Sequence, residues 1–341
     1  MTNSSKPLRI VAIVVGAMSG LILIAWVTAW LVVQSKRTQQ FTAHTVDIPV
    51  PYPLSDTDLV AIRAERAAGQ GGEAGADPLS GVDLSALASE RAIARGKHLV
   101  DARYGCNVCH GASFGGGVMM DAPPIGSLHG PNLTSGKGGV VANYDIADWD
   151  HIVRHGIKPD GTPAVMPSED YVLMSDHELS DIVAYIRSLP PVDNEVAKPS
   201  FGPIGIILLA TGQFPLSATK VDDHQRAHAK EPPAARDTPE FGAHLAATCV
   251  GCHRENLAGG PMPFGPPNWP PAANLTPHAT GLASWSFEDF DKAMTQGLSK
   301  DGRALREPMT HVLPGTKAMT PTERKAMWTY LKSVAALPVN R

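Results

Sequence analysis

Two pentapeptides carry most of the chemistry in this 341-residue chain, Cys106-Asn107-Val108-Cys109-His110 and Cys249-Val250-Gly251-Cys252-His253. Each puts two thiols on one tight turn, spaced to add across the two vinyl groups of a single haem, with the adjacent imidazole facing the iron as proximal ligand. The two motifs use all four cysteines. Four cysteines would also allow two disulfides, a thioredoxin-like redox pair or a zinc site. A redox pair needs a βαβ context that the sequence lacks, and zinc would need the two pairs brought together. A histidine placed alike after each pair favours haem. The expectation is two covalently bound haem c groups, held by Cys106, Cys109 and His110 and by Cys249, Cys252 and His253.

The sixth ligand decides what each iron does. A methionine saturates the iron and raises its potential, whereas an exchangeable position admits oxygen species or substrates. Met166 and Met309 each lie 56 residues after the motif histidine, following an Asp-Gly turn and preceding a closing helix. The expected iron ligands are therefore His110 with Met166 and His253 with Met309. Met174 and Met319, just ahead of helix caps, are the rivals. Met119, Met120 and Met262 are expected to pack near the haem edge. His98 and His244 recur at matched positions on the opening helices, on the proximal side or the surface, and His151 and His155 are expected at the surface.

These motifs sit inside a repeat with an offset of about 141 to 146 residues. Gly96-Lys97-His98-Leu99 is echoed by Gly242-Ala243-His244-Leu245, Asn132-Leu133-Thr134 by Asn274-Leu275-Thr276, and Tyr185-Ile186-Arg187-Ser188 by Tyr330-Leu331-Lys332-Ser333. Each copy opens with a helix, near residues 90–103 and 239–247. Each closes with another, announced by capping boxes at Ser175/Glu178 and Thr320/Glu323. Leu179, Ile182, Val183 and Ile186 form the apolar stripe of the first closing helix, and Met327, Tyr330, Leu331 and Val334 that of the second. The composition fits loops wrapped around a cofactor, with 32 Gly, 30 Pro and only 6% aromatic residues.

Ahead of the repeats, residues 10–33 hold no charged side chain and would span about 36 Å as a helix, enough for a bilayer core of about 30 Å. The run outlasts a signal peptide's apolar region and stays bulky through Trp30-Leu31-Val32-Val33. Flanking Lys6 and Arg9 balance Lys36 and Arg37, so the positive-inside rule is nearly silent. The expected organisation is an anchor over 1–37, a flexible tether over 38–90, a first domain over 91–193, a Pro-bearing linker over 194–235 and a second domain over 236–341. The linker's apolar run, 204–210, is too short to span a membrane and should pack on a module or a partner. A net charge of −4 argues against nucleic acid as partner. Residues 91–193 sum to about −4 and 236–341 to about +2, a contrast that suits different redox partners.

These residues resemble the class I cytochrome c family, in the tandem, membrane-anchored dihaem form of bacterial respiratory chains. The resemblance covers about 95–192 and 236–338. It rests on the two C-x-x-C-H motifs, Pro131-Asn132-Leu133-Thr134, Met166-Pro167 followed by Tyr171, and the Ser-Asp-x-Glu-Leu helix ending in Tyr-Ile-Arg-Ser-Leu-Pro-Pro. It is similar to the cytochrome subunits that serve membrane-bound dehydrogenases, and it departs from the pattern where Thr310 rather than Pro follows Met309. The family implies an all-α fold of two cytochrome c modules plus one transmembrane helix. It also implies that opening and closing helices cross closely at Gly96 and Gly242, against Tyr185 and Tyr330. Haem attachment to such motifs on the outer face of the bacterial inner membrane would put the modules in the periplasm. The expected function is single-electron transfer between a dehydrogenase or quinol-oxidising donor and an oxidase or cytochrome acceptor, with no substrate chemistry. The alternatives are a dihaem enzyme with one exchangeable ligand, such as a peroxidase or sulfur-compound dehydrogenase, and a haem subunit of a larger respiratory complex.

Overall fold

The computed structural model describes residues 5–69, 77–262 and 269–340, so most of the Gly/Ala-rich part of the expected tether lies outside the described residues. Two preliminary helices, α1 (Ser5–Thr38) and α2 (Asp56–Gly69), precede the first module. That module comprises α3 (Leu84–His98), the short α4 (Cys106–His110), strands β1 (Gly117–Ala122) and β2 (Gly126–Gly130), α5 (Ile146–His155) and α6 (Asp176–Ser188). Strand β3 (Ser200–Phe201) and helix α7 (Pro203–Ala210) lead to the second module. It is built from α8 (Pro239–Ala246), α9 (Val250–His253), α10 (Phe287–Gln296), α11 (Met309–Ala318) and α12 (Pro321–Ser333).

Sequence sets the closing helices. Ser175 caps α6 and Thr320 caps α12, and in both the glutamate at the third helical position returns a bond to the cap backbone. Leu179, Ile182, Val183 and Ile186 are all buried, as are Met327 and Leu331. α6 crosses α3, and α12 crosses α8, at glycine. A β-carbon on Gly96 would collide with the Asp181 carbonyl oxygen and one on Gly242 with that of Ala326, with Tyr185 and Tyr330 adjoining, as the family resemblance implies. Asp83 caps α3, so this helix starts several residues ahead of the expected position near 90, and a π-helical turn over Leu99–Arg103 carries it toward the first motif.

The chain is mostly helical, and the all-α expectation needs one amendment: β1, β2 and β3 form an antiparallel sheet, with β2 central. α1 is long and apolar enough to cross a membrane, with mean hydropathy 2.6 over its most apolar window and none of that window buried. Its last turns are integrated with the linker. Val33 is buried against Leu209 and Leu216, and Lys36 Nζ donates to the Leu209 and Ala210 carbonyls at 2.8 and 3.1 Å, capping α7. The apolar run 204–210 thus packs on the exit of α1.

The chain just beyond α1 corrects two expectations. Residues 38–53 do not hang free but lie along the first module as a strap. Phe41 N donates to Gly161 O at 2.9 Å, Ile48 is buried in the first core, Pro49 O accepts from Ser180 Oγ at 2.6 Å and Tyr52 stacks on His177. The strap and linker residues around 216–228 cover α5, so His155 is not a surface residue. It is 1% exposed and beside Arg154, which is fully buried. Burial, with neighbouring imidazoles adding to it, pushes the His155 side chain down to about 3. His151 is half-buried and donates to the strap at His44 O, 3.2 Å away.

Candidate functional site

Each C-x-x-C-H motif occupies a single turn, α4 in the first module and the junction running into α9 in the second. A backbone carbonyl some twenty residues downstream fixes each histidine. His110 Nδ1 donates to Pro131 O at 2.9 Å and His253 Nδ1 to Ala273 O at 2.7 Å. A carbonyl only accepts, so the proton sits on Nδ1 and the Nε2 lone pair is free for a metal. Burial holds both imidazoles below their ordinary value, and the carbonyls oppose this without reversing it.

Those carbonyls are positioned by the Asn-Leu-Thr repeat. Asn132 Oδ1 accepts from Thr134 N and Oγ1 at 2.9 and 2.8 Å while its Nδ2 donates to Val192 O at 2.7 Å. Asn274 repeats this, with Thr276 at 2.9 and 2.8 Å and Leu337 O at 2.7 Å. Both asparagines are almost fully buried. The turn therefore ties the chain beyond each closing helix to the residue that orients the motif histidine. The repetition of Asn-Leu-Thr was visible in the sequence, but its work on the imidazole tautomer was not.

Desolvation pushes the first thiol of each motif, Cys106 and Cys249, up to about 12, and raises Cys109 and Cys252 as well. The donor set, with neutral imidazoles that present Nε2 and thiols held on the same turn, suits haem c.

Met166 packs with Cys106, Leu133 and Tyr171 against the first core, and Met309 with Cys249, Leu275 and Trp285 against the second. Their local settings differ: Met166 lies in a loop ahead of a short 3-10 turn at Ser168–Asp170, whereas Met309 opens α11. Met174 and Met319 are core residues, 2% and 6% exposed. Met119 lies exposed on β1. His98 and His244 sit away from both motifs and cross between the modules, His98 to Glu323 at 2.9 Å and His244 to Glu178 at 2.8 Å.

The two motifs approach one another through residues 170 and 171. Tyr171 packs on the same core as Cys106, its hydroxyl donating to Tyr104 O at 3.3 Å. The neighbouring Asp170 carboxylate lies against Gly251 in the second motif, where a β-carbon would come within 2.8 Å of it. Burial, reinforced by Glu169 and opposed by Lys220, pushes Asp170 up to about 7. Nothing in its local sequence marks this residue.

A fold of paired helices around a C-x-x-C-H turn, twice over, defines a tandem haem-binding protein. Residues 93–190 and 240–335 both match the Cytochrome c family, and the chain belongs to that family. It carries two covalently bound haem c groups. Among curated relatives it is similar to the fructose dehydrogenase cytochrome subunit of Gluconobacter japonicus, 27% identical over 72% of this chain and 53% of the relative. It is also similar to the gluconate 2-dehydrogenase cytochrome c subunit of Pantoea cypripedii, 28% identical over 72% of this chain and 60% of that protein. A diheme cytochrome c-type protein of Cereibacter sphaeroides is 26% identical over 68% of this chain and 83% of its own length. The chain spans between half and two thirds of the fructose, alcohol and gluconate dehydrogenase cytochrome subunits it matches.

Proposed function

We propose that this chain is a membrane-anchored dihaem electron carrier of a bacterial inner membrane, with its modules in the periplasm. It passes single electrons from a membrane-bound dehydrogenase or quinol-oxidising complex to an oxidase or another cytochrome. Haem supplies reversible one-electron exchange at its iron. The observation that carries the reading is the matched pair of motif histidines, each with Nδ1 committed to a backbone carbonyl and Nε2 free. In this reading Cys106, Cys109, Cys249 and Cys252 would hold the porphyrins by thioether bonds, and His110 and His253 would each offer Nε2 to an iron. Met166 and Met309 would complete the set of side chains holding each iron, which would suit it to electron exchange rather than to substrate binding.

The approach of the two motifs at Tyr171, Asp170 and Gly251 supports transfer within the chain. The dehydrogenase subunits among the relatives favour a sugar- or alcohol-oxidising enzyme as donor. Retention of α1 as anchor is supported by its packing on the linker, since cleavage after the apolar run would remove Val33 from Leu209. The domain boundaries at 91–193 and 236–341 belong to the same proposal.

The test is absorption spectroscopy of the oxidised full chain beside its Met166→Ala and Met309→Ala variants. Two Met-to-iron charge-transfer bands, one lost with each variant, are expected. High-spin iron in the unaltered protein would overturn the carrier reading in favour of an enzyme.

A further inference from the structure

Away from both motifs, four side chains from three separate stretches of chain converge beneath the strap. His44 comes from the strap, Asp150 and His155 from α5, and His228 from the linker, and one ligand-type atom from each lies within 4.8 Å of all the others. Asp150 and His155 are buried, the other two half-buried.

The protons of this cluster can be counted from its carbonyls. His228 Nδ1 must donate to Val172 O, 3.0 Å away, and His224 Nε2 to Ala218 O, also 3.0 Å away. In neutral rings this leaves a lone pair on His228 Nε2 and on His224 Nδ1. Both point at His155, whose Nε2 is 3.1 Å from the first and whose Nδ1 is 3.3 Å from the second. A neutral His155 has one proton for two lone pairs. If it donates to His224, the two Nε2 lone pairs of His155 and His228 face each other with nothing between them. His44 Nδ1 donates weakly to His224 O at 3.4 Å, which turns its Nε2 toward the same point, 4.0 Å from Asp150 Oδ2.

The carboxylate shows the same deficit of positive charge. Asp150 Oδ1 accepts from Arg154 Nε at 2.6 Å, but Oδ2 has no hydrogen-bond partner among the described residues although the side chain is fully buried. Arg154 also donates to Asp176 Oδ1 at 2.9 Å, so one guanidinium is shared by two carboxylates. One negative charge is left over, and Oδ2 lies 3.7 Å from His155 Nε2. A buried carboxylate oxygen left unpaired is costly unless a cation meets it.

We propose that His44, Asp150, His155 and His228 form a binding site for a divalent first-row transition-metal cation, with zinc the ion best suited to three imidazoles and a carboxylate. The ligating atoms are Nε2 of each histidine and Oδ2 of Asp150. Tetrahedral zinc holds N and O donors at about 2.0–2.2 Å, hence roughly 3.3 Å apart, so small side-chain rotations close the observed cluster on the ion. Every imidazole has its second nitrogen already engaged, two on carbonyls and that of His155 on His224, which fixes the ligating tautomers. The ion would pin the strap and the linker to α5, joining three stretches distant in sequence.

The test uses the full chain in detergent, with both haems and without a polyhistidine tag, stripped by a chelator and titrated with zinc. One zinc per two irons by elemental analysis is expected, with an X-ray absorption shell of four N/O donors and no sulfur, and a higher thermal midpoint on zinc addition. His228→Gln and Asp150→Asn should each weaken zinc binding by more than about 100-fold, and His224→Gln, a positioning residue, by about 10–100-fold. Unchanged haem absorbance in the variants reports that they are folded. His228→Gln, on the linker, decides the matter if Asp150→Asn does not accumulate. Failure of the unaltered chain to take up zinc, sulfur in the shell, or undiminished binding by His228→Gln would each overturn the proposal.

Discussion

The His98 imidazole leaves the first module to meet Glu323, the third residue of α12, at 2.9 Å. Its repeat-mate His244 meets Glu178, the third residue of α6, in the opposite direction. Each glutamate therefore closes a capping box in its own module and also receives the other module: Glu178 uses Oε2 for the cap and Oε1 for His244, whereas His98 lies 2.9 Å from both oxygens of Glu323. Arg103 joins the pair, donating through Nη1 to Glu178 at 3.0 Å and through Nε to Glu323 at 2.6 Å, with its guanidinium over the Phe241 ring. Both carboxylates are 3% exposed, so the modules are fastened through a nearly dry ionic joint.

Removing Arg103 takes the shared guanidinium from both carboxylates and leaves each with its histidine and cap backbone. Arg103→Met is expected to cost about 3–5 kcal/mol, the usual penalty for breaking a buried ion pair from one side. Denaturant unfolding of the haem-loaded chain checks it, and the loss should show as two separated transitions where the parent has one. A variant as stable and as cooperative as the parent would contradict the joint.

Acid should open the same joint. Burial alone would raise Glu178 and Glu323, but hydrogen bonds from His244 and His98, with Arg103 and the cap backbone, hold both at about 2 against an ordinary 4.5. A depressed carboxylate contributes stability above its unfolded value and loses it as pH falls through the folded one. Stability should therefore drop between about pH 4.5 and 2, and Glu323→Gln should flatten that slope. Thermal midpoints across this range measure it.

Asp170 has the opposite sign. Its carboxyl is pushed up to about 7 from an ordinary 3.8, so its contribution is complete at low pH and fades as pH rises from about 4 through 7. Asp170→Asn should remove that decline, raising the thermal midpoint at pH 8 relative to the parent while changing little at pH 4. An equal shift at both values would refute it.

Asn132→Ala should loosen the first haem's surroundings while sparing the second. The Thr134 N–H loses its acceptor and the Val192 and Asn194 carbonyls lose a donor, a cost of about 1–3 kcal/mol for buried polar groups left unsatisfied. Potentiometric titration of the two haems should move one midpoint alone. Parallel movement of both would argue against the local tether.

Much of this was legible in the sequence because it repeats. Ser175 with Glu178 and Thr320 with Glu323 announced the closing helices, and the matched glycines at 96 and 242 announced the crossings. What the repeat hid was whatever occurs once. His44, Asp150 and His228 lie in unrelated stretches, and only the folded strap brings them to α5. His155 read as a surface residue because no neighbouring sequence announces a cover for its helix, yet the strap and linker supply one. The second role of the capping glutamates was invisible for another reason: a capping box satisfies a local pattern completely, so nothing in it asks for a distant partner.

The strap along the first module bears on how electrons reach the protein. Phe41, Ile48, Pro49 and Tyr52 are all fastened to that module, and the exit of α1 is locked to α7. Under the proposed function, with the ionic joint holding the second module to the first, the chain would act as a fixed relay post on the membrane rather than a shuttle on a leash. Its height and facing would then be set by the protein, and donors and acceptors would have to travel to it. Turnover with dilute partners would then scale with their lateral crowding in the membrane, and lengthening the segment between α1 and Phe41 would bring no gain in reach.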